Sequence, residues 1–128
     1  HWGFSPEDVD RMRKEHPGYT VLAHPECRWE VLQKADLVMS TSGMMKYAEE
    51  HDRLIIGTET GLIDLLNAKY PQKNILPLNR NAVCVNMKKT ELHHVLEALQ
   101  QNRYEVKVDG DIAKKVIHCL EQMLTLSK

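Results

Sequence analysis

The chain has 128 residues, 42% of them hydrophobic and 27% charged, with a net charge of -1 at pH 7. That length and balance suit one ordinary globular domain, or one domain and a piece of another. The interspersed charge forms no basic face for a nucleic acid, and apolar runs such as Leu62–Leu66 are too short to cross a bilayer.

The chain opens on His1 rather than Met, which points to a processed, truncated or partial sequence. Ser5-Pro6-Glu7-Asp8 reads as a helix start: a Ser cap, Pro at the first helical position and acids in the first turn. Val9 and Met12 carry the helical spacing up to His16-Pro17-Gly18. Tyr19–Ala23 reads as a short buried strand, followed by Pro25 and a helical stretch with Trp29, Val31 and Leu32. Asp36–Met39 is a second strand running into Ser40-Thr41-Ser42-Gly43, and a helix with Met44, Met45, Tyr47 and Ala48 ends near His51-Asp52. Arg53–Gly57 is a third strand, the turn Thr58–Gly61 breaks it, and Leu62–Tyr70 forms another helix. Asn74–Leu78 is a fourth strand whose Pro77 suits an edge or a strand end. Strand and helix alternating in this way predict an α/β fold, a parallel sheet with helices on both faces.

After Cys84 the pattern changes. Leu92, Val95, Leu96 and Leu99 line one face of a helix opening at Thr90. Tyr104–Val108 reads as an edge strand, and Ile112, Val116, Cys119, Leu120 and Met123 line a final helix. Two amphipathic helices need something to cover. The expected division is therefore residues 1–82 as an α/β/α domain and 83–128 as a loop with terminal helices.

Polar residues gather just after the strands, where ligands bind in open parallel sheets. The Ser40–Gly43 turn opens a helix, whose free N–H groups hold a carboxylate or phosphate, or whose hydroxyls simply cap their own helix. His24 and Glu26 alternate across one residue, so extended backbone points both side chains the same way. Such a pair binds a substrate and moves protons, or stands solvated at a strand end. Glu59 reads as a further acid of that kind or, more commonly for a turn, as solvated; Cys119 reads as core, and Cys27 and Cys84 as either small hydrophobes or ligands. The remaining histidines read as structural or solvated. Three sparse cysteines without CxxC spacing argue for a reducing, cytoplasmic compartment.

Taken in order, the blocks Val21-Leu22-Ala23-His24-Pro25-Glu26-Cys27, Ala35-Asp36, Ser40-Thr41-Ser42-Gly43-Met44, Gly57-Thr58-Glu59 and Cys84-Val85-Asn86-Met87-Lys88 resemble the C-terminal half of the quinolinate synthases. His1, Phe4 and the acidic helix resemble the stretch just after that family's central cysteine. The resemblance implies one of three similar α/β/α layers around a pseudo-threefold axis, with the terminal helices returning to the first layer. It also implies a condensation of iminoaspartate, supplied by an L-aspartate oxidase or dehydrogenase, with dihydroxyacetone phosphate to give quinolinate for NAD synthesis. A 4Fe–4S cluster held by three cysteines assists that reaction. On this likeness Cys84 matches the third cluster ligand, and His24 and Glu26 match the residues that bind intermediates and assist proton transfer. Ser40 and Thr41 match the hydroxyl pair that holds a carboxylate or phosphate. The other two cluster cysteines are absent, so this chain alone is expected to carry no cluster and make no quinolinate. The rival expectations are a stand-alone anion-binding α/β module and a zinc site built from His24, Cys27 and Cys84.

Overall fold

The computed structural model describes residues 1–127, in two compact units that divide after Val85. In the first unit, helix α1 (Pro6–Glu15) starts on a reciprocal cap. Ser5 Oγ accepts the Asp8 N–H and Asp8 Oδ2 accepts the Ser5 N–H. Gly18, at φ +83°, turns the chain into β1 (Thr20–Ala23). The order continues with α2 (Trp29–Leu32), β2 (Leu37–Val38), α3 (Thr41–Glu50), β3 (Arg53–Gly57), α4 (Thr60–Lys69) and β4 (Asn74–Pro77).

All strand pairs are parallel, in the order β2-β1-β3-β4. Successive side chains of a strand point to opposite faces, and the core divides accordingly. Val21, Ala23 and Ile55 pack with Val9 and Met12 of α1 and Val31 of α2. Leu22, Leu54, Ile56 and Ile75 pack with Met44 and Ala48 of α3 and Ile63 and Leu66 of α4. Helices thus cover both faces, as expected, and the inner strands read as unbroken apolar runs because neither face meets water. Pro77 ends the edge strand β4, where its missing N–H breaks no inner ladder. The largely buried Lys73 side chain donates to the carbonyls of Ala48 (2.9 Å) and Glu49 (2.8 Å) at the end of α3 and pairs with Asp52. It thereby closes orphan carbonyls that the helix itself cannot.

The topology fixes where a ligand would sit. The chain leaves β1 toward β2 but leaves β3 toward β4, in opposite directions along the sheet. The crevice between the carboxyl ends of β1 and β3 is therefore the switch point of the sheet.

In the second unit a short 3₁₀ turn (Met87–Lys89) precedes α5 (Leu92–Gln101) and α6 (Gly110–Leu126). Glu91 and His94 cap α5 reciprocally, and Asp109 accepts from the N–H groups of Asp111 and Ile112 at the start of α6. Tyr104–Val108 is not the expected edge strand. The segment pairs with no strand among the described residues, and Tyr104 takes φ +65°, outside the β region. Cys119 is exposed rather than core, because neither α5 nor α6 buries a residue. No described helix is long and apolar enough to cross a membrane.

Candidate functional site at the β1/β3 switch point

β1 ends at Ala23, and Pro25-Glu26 then occupy a turn closed by the Cys27 N–H on the His24 carbonyl (2.9 Å). The turn, rather than extended alternation, is what joins His24 to Glu26. It also lets the Glu26 N–H donate to His24 Nδ1 at 3.2 Å. A nitrogen that accepts carries no proton, so the neutral His24 ring holds its proton on Nε2. His24 therefore presents a donor through Nε2.

A residue absent from the expected set completes the site. The His1 ring stacks on His24, with centroids 4.1 Å apart and planes 7° from parallel. Its Nδ1 lies 3.0 Å from Glu26 Oε2 and its Nε2 lies 2.9 Å from Thr58 Oγ. Thr58 follows β3 directly and is 2% exposed, whereas the Glu26 side chain is 72% exposed. Sequence separations of 25 and 57 residues hide these contacts. Only the pairing of β1 with β3 reveals them, though Thr58 already stood in one of the polar strand ends. One ligand atom each from His1, His24 and Glu26 lies within 4.8 Å of the others. Near-parallel stacked rings keep their in-plane lone pairs in separate planes, however, and a single ion does not lie in both. As arranged, the set is a hydrogen-bonded relay.

Parallel pairing puts the loops after β1, β2 and β3 at the same edge of the sheet. Ser40 caps α3, its Oγ accepting the Gly43 N–H at 3.3 Å, so the capping reading of that turn holds for its lone pair while its own O–H remains a donor. Thr41 is the first residue of α3 and is exposed. Glu59 is half-buried rather than solvated, and it caps α4 by accepting the Gly61 N–H at 2.7 Å. The Thr60 N–H donates to the Ala82 carbonyl (3.0 Å), drawing the chain after β4 back toward the start of α4, and half-buried Cys84 follows two residues later.

Asp36 is scaffold. Its Oδ2 accepts the Val21 N–H (2.7 Å) and its Oδ1 pairs with Arg13 (2.6 Å), joining the approach to β2 to β1 and α1. Burial pushes its carboxyl up, but Arg13 and the Val21 N–H outweigh that and hold it below the usual range. Cys27 is buried, its thiol donates to the Gly57 carbonyl (3.5 Å), and burial pushes its pKa up. The zinc set is not brought together. Among the described residues, the sole grouping with metal-ligand spacing is His1, His24 and Glu26, without either cysteine. The other histidines are structural or solvated, His51 stacking on Tyr47 and His94 capping α5.

The family model described as "Quinolinate synthetase A protein" matches residues 1–125. The chain belongs to this family. Proteins named quinolinate synthase are similar to it throughout. That of Thermococcus onnurineus is 40% identical over 127 residues, covering 99% of this chain and 42% of the relative. That of Thermodesulfovibrio yellowstonii is 43% identical over 128 residues, 98% of this chain and 42% of the relative. That of Pyrococcus furiosus is 42% identical over 127 residues, with 99% and 42% covered. The chain thus spans about two-fifths of the length of these relatives.

A 4Fe–4S cluster of the kind the resemblance implies needs several thiolates. Cys27 is committed to the core, Cys119 lies on α6 in the second unit, and Cys84 stands half-buried in a loop of the first. A half-buried loop thiol such as Cys84 suits one ligand position of such a group, whereas the core-bound Cys27 does not.

Proposed function

We propose that this chain is the C-terminal part of a quinolinate synthase, which condenses iminoaspartate with dihydroxyacetone phosphate to quinolinate, losing phosphate and water. In that reading residues 1–82 form the third α/β layer and residues 83–128 supply the cluster-ligand loop and helices that return to the first. The observation that carries it is the His24–Glu26 pair at the β1/β3 switch point, in a chain similar to quinolinate synthases over its length.

Each residue then has work suited to its geometry. His24 donates from Nε2 to an oxygen of the bound intermediate, and Glu26 accepts and returns a proton through its exposed carboxylate. Ser40 and Thr41, at the amino end of α3, hold a substrate carboxylate or phosphate with hydroxyl and backbone N–H donors. Cys84 supplies one thiolate to a 4Fe–4S cluster whose other ligands come from beyond residues 1–128. When bound, such a cluster offers an iron that acts as a Lewis acid on substrate oxygens. The setting is de novo NAD synthesis in the cytoplasm, with an L-aspartate oxidase or dehydrogenase supplying iminoaspartate. Three unpaired cysteines agree with that compartment.

The exposed apolar faces of α5 and α6 weigh against the stand-alone anion-binding module, since a self-sufficient domain covers such faces. The test uses a protein of family length carrying this chain, reconstituted anaerobically. Cys84→Ser is expected to abolish iron–sulfide content and Cys119→Ser to leave it intact; equal loss in both removes the ligand assignment. Glu26→Gln is expected to lower quinolinate formation by about 100-fold or more with iron content unchanged. Turnover near the unsubstituted level overturns the assignment of Glu26.

A further inference from the structure

We propose that His1 is a positioning residue, which holds Glu26 and His24 in one geometry by bridging them to the buried hydroxyl of Thr58. The role matters for catalysis only on the reading of His24 and Glu26 as the reacting pair, but the geometry stands apart from it.

His1 is not a fraying end. Phe4, three residues on, is buried in the core, and its carbonyl takes two bonds from Arg28, at 3.1 and 2.9 Å. The Phe4 N–H returns to the His1 carbonyl. The side chain is only 21% exposed, and both ring nitrogens are engaged. A carboxylate accepts only, so His1 Nδ1 carries the proton that bonds Glu26 Oε2. In the neutral ring Nε2 is then the acceptor, and Thr58 donates to it. The relay runs Thr58 O–H to His1 Nε2, and His1 Nδ1–H to Glu26.

Hydroxyl, imidazole and carboxylate in line also describe a nucleophile activated by a base. Burial decides against that reading. A nucleophile must meet substrate, yet Thr58 is 2% exposed and the carboxylate is the open end at 72%. The fixed end of the relay is Thr58 on β3, and the end it aims is Glu26. Stacking on His24 lets the same ring limit the tilt of the second reacting group. A carboxylate on an exposed turn otherwise samples several rotamers, and misplacement of a reacting group by about 1 Å can cost on the order of 100-fold in rate.

The test is long-range ¹H–¹⁵N spectroscopy of the histidine rings in a protein of family length carrying this chain, at about pH 8, above the ordinary imidazole range, with couplings that report the Glu26 χ1 rotamer. Expected are the Nδ1–H form for His1, the Nε2–H form for His24, and one Glu26 rotamer. In Thr58→Val the His1 ring is expected to keep Nδ1–H, which Glu26 still holds, while the Glu26 rotamer averages because Nε2 has lost its anchor. In His1→Leu the Glu26 rotamer is expected to average, and His1→Asn, whose amide N–H replaces Nδ1–H, restores it. An Nε2–H His1 in the unsubstituted chain, or a Glu26 rotamer indifferent to His1→Leu in folded protein, overturns the proposal. If His1→Leu fails to fold, the tautomers of the unsubstituted protein and the Glu26 rotamer in Thr58→Val decide. Loss of quinolinate formation leaves these spectra unchanged, so failure of the family reading is read separately.

Discussion

Residues 1–85 and the helices that follow share a similar supply of apolar side chains but use it in opposite ways. In the first unit strand and helix bury Leu22, Ile55, Ile56 and Met44 completely. In the second, Leu92 and Leu99 of α5 are 85% and 81% exposed, and Cys119 and Leu120 of α6 are exposed as well. Both kinds of helix show the same periodicity. What differs is a sheet: a parallel sheet offers each helix a flat apolar face, whereas a helix without such a partner keeps its stripe in water. Amphipathicity therefore states a need for cover without saying that the need is met.

Substitutions sharpen this contrast. The largest effect is expected in the first unit, where Ile56→Ala should lower unfolding free energy by about 2–5 kcal/mol in urea titrations. Gly57→Ala follows at about 1–3 kcal/mol. An added Cβ meets Leu78 Cδ2 at 3.1 Å and the Leu22 carbonyl oxygen at 3.3 Å, and the backbone oxygen has no room to yield. Lys73→Met, which leaves the carbonyls ending α3 without their cation, should lose on the order of 1–2 kcal/mol in the same titration. In the second unit Leu99→Ser should leave unfolding within about 0.5 kcal/mol while reducing the binding of a hydrophobic dye. A Leu99→Ser loss as large as that of Ile56→Ala would break the comparison.

Acid discriminates more finely. Asp8 and Asp36 both feel burial raise their carboxyls, but hydrogen bonds and arginine partners outweigh it and hold them below the usual range. A depressed folded pKa contributes stability above the unfolded value, about 3.9, and that contribution is lost as pH falls through the folded value. Stability of the first unit should therefore decline below about pH 4, and Asp36→Asn should flatten part of that decline in unfolding midpoints measured from about pH 6 to 2. An acid limb unchanged by Asp36→Asn would show that Arg13 and Val21 do not act through it.

Local chemistry made much of the fold legible. Ser5 and Ser40 cap helices where the sequence places them, Arg53–Gly57 is a strand at its expected bounds, and Pro77 marks the edge. These features depend on neighbours a few residues apart, so composition and period carry them. Tyr104–Val108 misled because its alternation would need a pairing strand that the described chain does not provide.

By itself, then, the sequence determined the alternation of strand and helix, the caps and the family. Tertiary structure alone decided that β1 lies beside β3. That pairing brings His1 and Thr58, 57 residues apart, into one relay with Glu26. It also decided that Glu59 caps a helix and that Cys119 faces water. The physical reason is range. Propensity and capping act within a turn or two of chain, whereas strand order and the cover of an apolar face are set by burial summed over the whole molecule.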